Sequence, residues 1–115
     1  EPQYVDASRG LAARVIREVN DDTLGESLDA RRIEYAFRLC TSRRPDEVEK
    51  KWLHELLQSQ REHFGGSLSP DELASLVGVP IDKCLQLTGV AASDLAAWMT
   101  VSRVILNLDE TITKS

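Results

Sequence analysis

Apolar residues in this chain recur at three- and four-residue intervals, and no segment alternates apolar with polar residues as a half-buried strand does. Near the C-terminus, Leu95, Trp98, Val101, Ile105 and Leu108 fall on one helical stripe, with Ile112 beyond. A first segment, about residues 3 to 20, places Tyr4, Ser8, Leu11, Val15 and Val19 together. In a second, Ile33, Ala36, Phe37 and Cys40 share a face, and in a third Val48, Trp52, Leu53, Leu56, Leu57 and Phe64 do so. With no hairpin turn pair and no internal repeat, the pattern predicts an all-α fold. It would be an irregular bundle of four main helices plus one or two short ones.

Helix ends are marked by residues with known local chemistry. Asn20-Asp21-Asp22 ends the first helix, because short polar side chains compete for backbone hydrogen bonds, and a loop through Gly25 follows. Ser27 or Asp29 caps the second helix, and Arg43-Arg44-Pro45 breaks it. Pro45 suits the first turn of the third helix, with Asp46 and Glu47 placed for its dipole, and Gly65-Gly66 stops that helix at about Phe64. Ser69-Pro70-Asp71-Glu72 is the sharpest signal: a serine cap, proline at the first helical position, and a glutamate that closes a capping box. Gly78 and Pro80 keep that helix short, residues 81 to 87 form one or two further turns before Gly89, and the last helix starts near Ser93 or Asp94.

A chain of 115 residues supports one modest core, so residues 1–115 are expected to be a single helical domain. Its only methionine is Met99 and it opens on Glu1-Pro2-Gln3, which reads as a piece of a larger protein. Asp and Glu outnumber Lys and Arg by 19 to 14. That balance argues against a nucleic-acid partner, since clustered cations supply most non-specific affinity for phosphates. No run approaches the roughly 18 apolar residues of a membrane span, and none is expected.

No segment carries a pattern that assigns a catalytic, cofactor-binding or metal residue. His54-Glu55-Leu56-Leu57-Gln58 resembles a zinc-protease helix, but Gln58 stands where the second histidine ligand must be, and His63 is off its face. Ser67 and Ser69 follow Gly65-Gly66 without the strand that a nucleophile elbow requires. Neither a phosphate-cradling glycine loop nor a haem-attachment motif is present, so no cofactor is expected in this chain. Cys40 reads as a buried thiol beside Phe37, and Trp52 and Trp98 read as core.

Residues 69–90 carry the spacing of a helix-turn-helix: Leu73, Ala74, Val77, Gly78, Val79, Cys84 and Leu87. The would-be recognition helix, however, offers bases only Lys83 and Gln86, so two short packed helices is the preferred reading. Arg43-Arg44 with Lys50-Lys51 is offset by Asp46, Glu47 and Glu49 and reads as a solvated face. Asn107, Asp109 and Glu110, polar groups ending an apolar helix, would be the residues to serve a neighbouring enzyme's active site; solvent-facing groups at a helix terminus is the simpler reading.

Two blocks of sequence resemble a known family. The first is Arg32-Ile33-Glu34-Tyr35-Ala36-Phe37-Arg38-Leu39 with Arg44-Pro45 and Glu49, and the second is Ala96-Ala97-Trp98-Met99-Thr100-Val101-Ser102-Arg103-Val104-Ile105-Leu106-Asn107-Leu108-Asp109-Glu110. Together with Pro2-Gln3-Tyr4-Val5-Asp6-Ala7, they are similar to the C-terminal domain of unknown function in planctomycete multidomain proteins that carry cytochrome-c-type modules. Thr111 and Cys40-Thr41-Ser42 depart from that pattern, the latter where the family is more glycine-like, and residues 69 to 90 lie outside it. The resemblance implies the C-terminal fragment of an exported protein, periplasmic or secreted. Its partners would be the parent's other domains, and any haem would sit in one of those. Export would also expose Cys40 and Cys84 to an oxidising compartment. A bridge would then close a loop of about 45 residues, although each cysteine also reads as an ordinary apolar core residue.

Overall fold

Leu95-Ala96-Ala97-Trp98-Met99 are all buried. Successive helical residues point about 100° apart, so five buried in a row face every direction and their helix must be surrounded. A computed structural model shows how. It describes residues 2–20, 27–66 and 68–114, and the side chains of 7–20, 27–66, 68–80 and 82–108. The described residues form six helices and no strand: α1 (Pro2–Glu18), α2 (Leu28–Thr41), α3 (Glu47–Gly66), α4 (Pro70–Val77), α5 (Ile81–Thr88) and α6 (Ala92–Lys114). α6 is the axis of the bundle and packs against each of the other five. The fold is all-α, with four long and two short helices.

The expected stripes supply most of the core. Val15 and Val19 come from α1 and its end, Ile33, Ala36 and Phe37 from α2, and Leu53 and Leu57 from α3. Trp98, Val101 and Ile105 of α6 meet them, and Val77 and Cys84 close the core from α4 and α5. Three expectations for the core are corrected. Trp52 is 48% exposed and Val48 77% exposed, because only the side of α3 that carries Leu53 and Leu57 faces α6. Leu87 is 64% exposed rather than framing the core. Cys40 is half-buried, at the last turn of α2, where the helix leaves the core; both cysteines are thiols.

Several helix ends follow the local signals. Ser27 accepts from the Ala30 N–H (3.1 Å), so it is the cap of α2 rather than Asp29. Ser69 and Glu72 make both bonds of the capping box at the start of α4, with Pro70 at its first position. Gly78 ends α4 at φ +81°, in the left-handed region where a side chain is strained. At the end of α2 that conformation falls to Ser42 (φ 62°), whose N–H donates to the Arg38 carbonyl (3.0 Å).

Three boundaries differ from expectation. Pro45 precedes α3 instead of starting it: Asp46 Oδ1 accepts from the Glu49 N–H (2.8 Å) and Glu49 Oε1 accepts from the Asp46 N–H (2.9 Å). This is a second capping box with Asp as the cap. α3 continues through Gly66, and α6 begins at Ala92, ahead of Ser93 and Asp94.

Three arginines tie the helices together. Arg32, buried, donates to the carbonyls of Val19 (2.7 Å) and Ile16 (3.2 Å), satisfying acceptors that the end of α1 leaves open. Arg9 does the same for α4 through Leu76 and Ser75 (3.0–3.1 Å). Arg61 of α3 grips Asp29 of α2 through both terminal nitrogens (2.6 and 2.9 Å) and donates from Nε to Asp94 of α6 (2.5 Å). Paired guanidinium and carboxylate groups are strong and directional, so this contact fixes the relative positions of three long helices.

Candidate functional site

Val48 and Trp52 stand four residues apart on α3, and so lie one above the other on its outer ridge. An isolated exposed apolar side chain is common. A half-exposed indole stacked along a helix from an exposed valine is less so, because tryptophan is among the residues enriched in protein interfaces. The ridge is set rigidly. The Asp46–Glu49 capping box starts the helix beneath it, and Arg43 donates to Glu49 through both terminal nitrogens at 2.9 Å. Arg43 also lies over the Phe37 ring, 4.8 Å from its centroid. Its guanidinium holds the Glu49 carboxyl below the usual carboxylate range. A second exposed apolar pair, Leu85 and Leu87, stands on α5, each 64% exposed.

The histidines, serines and carboxylates of the near-miss motifs are scattered. His54 is half-buried and lines a pocket of about 420 Å³ with Ser27, Ala30, Ile33, Lys51 and Glu55. Gln58 is exposed, and so is His63, whose ring packs edge-on against Phe64. Among the described residues no group of three His, Cys, Asp or Glu is placed to hold a metal ion. Ser67 lies outside the described residues, and the Ser69 hydroxyl is engaged in its cap. Asn107 is exposed; the side chains of Asp109 and Glu110 lie outside the described residues.

Residues 69–90 do form two short helices joined across Gly78. Val77 and Cys84 are buried, and Leu73 and Ala74 half-buried. The outer surface of α5 presents Asp82, Lys83, Leu85, Gln86 and Leu87. Of the cations read as a solvated face, Arg43 pairs with Glu49, Arg44 with Glu34 and Lys50 with Glu47, and Lys51 is exposed.

One constellation has no counterpart in the sequence motifs. Arg31, Glu34, Tyr35 and Arg38 of α2 line a surface pocket of about 370 Å³ with Arg44 and Val19. Beside it the Tyr35 hydroxyl donates to Glu18, which holds that carboxyl below its ordinary range and raises the phenol. The spacing 31, 34, 35, 38 was visible along the chain, but Arg44 and Val19 enter only through the tertiary fold.

No protein-family model matches the chain, and no curated protein or solved structure matches it. No single helix among the described residues is long and apolar enough to cross a membrane.

Proposed function

We propose that this chain is a non-catalytic helical module that docks through the outer ridge of α3 onto a neighbouring domain of a larger exported protein. The observation that carries this reading is the exposed Val48–Trp52 pair on a helix whose other side is anchored to α6 and, through Arg61, to α2. Covering the exposed half of an indole removes on the order of 100 Å² from water, which favours docking by about 2–3 kcal/mol. The resemblance of Arg32–Leu39 and Ala96–Glu110 to the domain of planctomycete cytochrome-c-associated proteins supports a multidomain, extracytoplasmic parent. In that setting any haem belongs to another domain, and this module contributes no catalytic residue.

A photo-crosslinker at Val48 in the full-length natural gene product tests the reading. Cross-links to a segment outside residues 1–115, with none from a crosslinker at exposed Gln58, are expected. Equal yields from the two positions would contradict it.

A second reading is a helix-turn-helix DNA binder in residues 69–90, favoured by the α4–Gly78–α5 geometry. Against it, α5 presents two leucines and an aspartate with Lys83 as its one cation. Gel retardation of random duplex at low salt by micromolar protein would establish this alternative, and free duplex would dismiss it.

A further inference from the structure

Arg31 and Arg38 are seven residues apart on α2, two turns of helix, and therefore share a face. Arg44 reaches the same pocket from the connection between α2 and α3, and Val19 closes it at the end of α1. Among the described residues, three guanidinium groups thus line one pocket with a single carboxylate, Glu34, in a chain whose net charge is −5. Glu34 is engaged with Arg44 Nε at 3.5 Å, so it offsets one of the three. Arg38 is exposed and makes no ion pair with any described residue. Nη1 of Arg31 is shielded from water and has no hydrogen-bond partner among the described residues. A shielded guanidinium donor without an acceptor is costly, and cations gathered on one pocket repel each other unless an anion joins them.

We propose that this pocket binds a phosphoryl group. A phosphate monoester brings close to two negative charges and three acceptor oxygens. Guanidinium forks match such oxygens in pairs, which a single carboxylate cannot satisfy from three directions. A volume of about 370 Å³ leaves room for a small organic body beyond the phosphoryl group itself. An anion seated between Arg31 and Arg38 would offer the Arg31 guanidinium an acceptor. Glu34, on the same face, opposes the ligand by competing for Arg44.

The test is calorimetric titration of the chain with pyrophosphate, inorganic phosphate and succinate at constant ionic strength. Pyrophosphate is expected to bind saturably with Kd below about 1 mM. Exposed Arg38→Gln should weaken it by about tenfold or more. Glu34→Gln should tighten it about three- to tenfold, by removing the like charge and releasing Arg44. The gain from Glu34→Gln cannot come from damage to the fold. Lys51→Gln, on α3 and outside the pocket, serves as the control and should leave Kd unchanged. The proposal is overturned by the absence of saturable binding, by an equal loss in Lys51→Gln and Arg38→Gln, or by no gain in Glu34→Gln. Succinate binding as tightly as pyrophosphate would overturn the phosphoryl assignment.

Discussion

Among the described residues Trp98 is the largest fully buried side chain, enclosed by the helices that surround α6, and its indole N–H has no hydrogen-bond partner there. Two opposing effects therefore act at one residue. Trp98→Ala removes the ring and leaves a cavity that five surrounding helices cannot all collapse into, at a cost of about 3–5 kcal/mol. Trp98→Phe empties less volume and removes an unmet donor whose burial costs about 1–3 kcal/mol, so the two terms partly cancel and the net loss should be about 1 kcal/mol or less.

Urea unfolding followed by circular dichroism at 222 nm measures both. With a slope of about 1.5 kcal/mol per molar urea, the alanine variant should shift the midpoint by about 2–3 M and the phenylalanine variant by under about 1 M. A loss well above about 1 kcal/mol in Trp98→Phe would show that the N–H finds an acceptor. A loss under about 1 kcal/mol in Trp98→Ala would refute the placement of Trp98 at the centre of the core.

Arg61→Met leaves the Asp29 and Asp94 carboxylates side by side without their shared cation and should cost about 2 kcal/mol, intermediate between exposed and buried pairs. Hydrogen bonds from Arg61 hold Asp29 below its ordinary range, so this contribution is complete above about pH 4 and is lost as pH falls through the lowered value. Acid unfolding followed by circular dichroism should show that slope in the wild type and flatten it in Arg61→Met; parallel profiles would refute the assignment. Gly78→Ala should destabilise by about 1–2 kcal/mol, because φ is +81° and the new Cβ would stand 3.0 Å from the Arg9 guanidinium carbon. Ser42→Gly should act in the opposite sense, stabilising by about 0.5–1 kcal/mol at its left-handed φ, and thermal melts of both variants check the pair. Intact-mass analysis after denaturing, non-reducing alkylation should add two alkyl groups, and under native conditions half-buried Cys40 should react before Cys84, which is fully buried.

Helical periodicity made the fold class and most of the core legible, because it depends only on neighbours along the chain. The Ser69-Pro70-Asp71-Glu72 signal fixed the start of α4 for the same reason. Val48 and Trp52 escaped because periodicity groups residues on a face without saying how wide a face the partner helix covers. α6 covers Leu53 and Leu57 and stops short of the ridge. α6 itself is buried beyond its expected stripe; the run Leu95-Ala96-Ala97-Trp98-Met99 was a signal for that, since no polar residue interrupts it. Arg61 pairs with aspartates 32 and 33 residues away, contacts that no local pattern encodes. The cap of α2 belonged to Ser27 or Asp29 by chemistry alone, and only the presence of Arg61 explains why Asp29 does something else.

Hydrogen exchange of the peptide segment 47–60 reports on whether the outer ridge of α3 docks as proposed. The same segment is followed in this chain alone and in the larger parent proposed above. If that parent covers Val48 and Trp52, exchange of amides in the first three turns of α3 should slow by about tenfold or more in it, with α5 unchanged. Identical exchange of segment 47–60 in the two proteins would mean that the α3 ridge is not a docking surface.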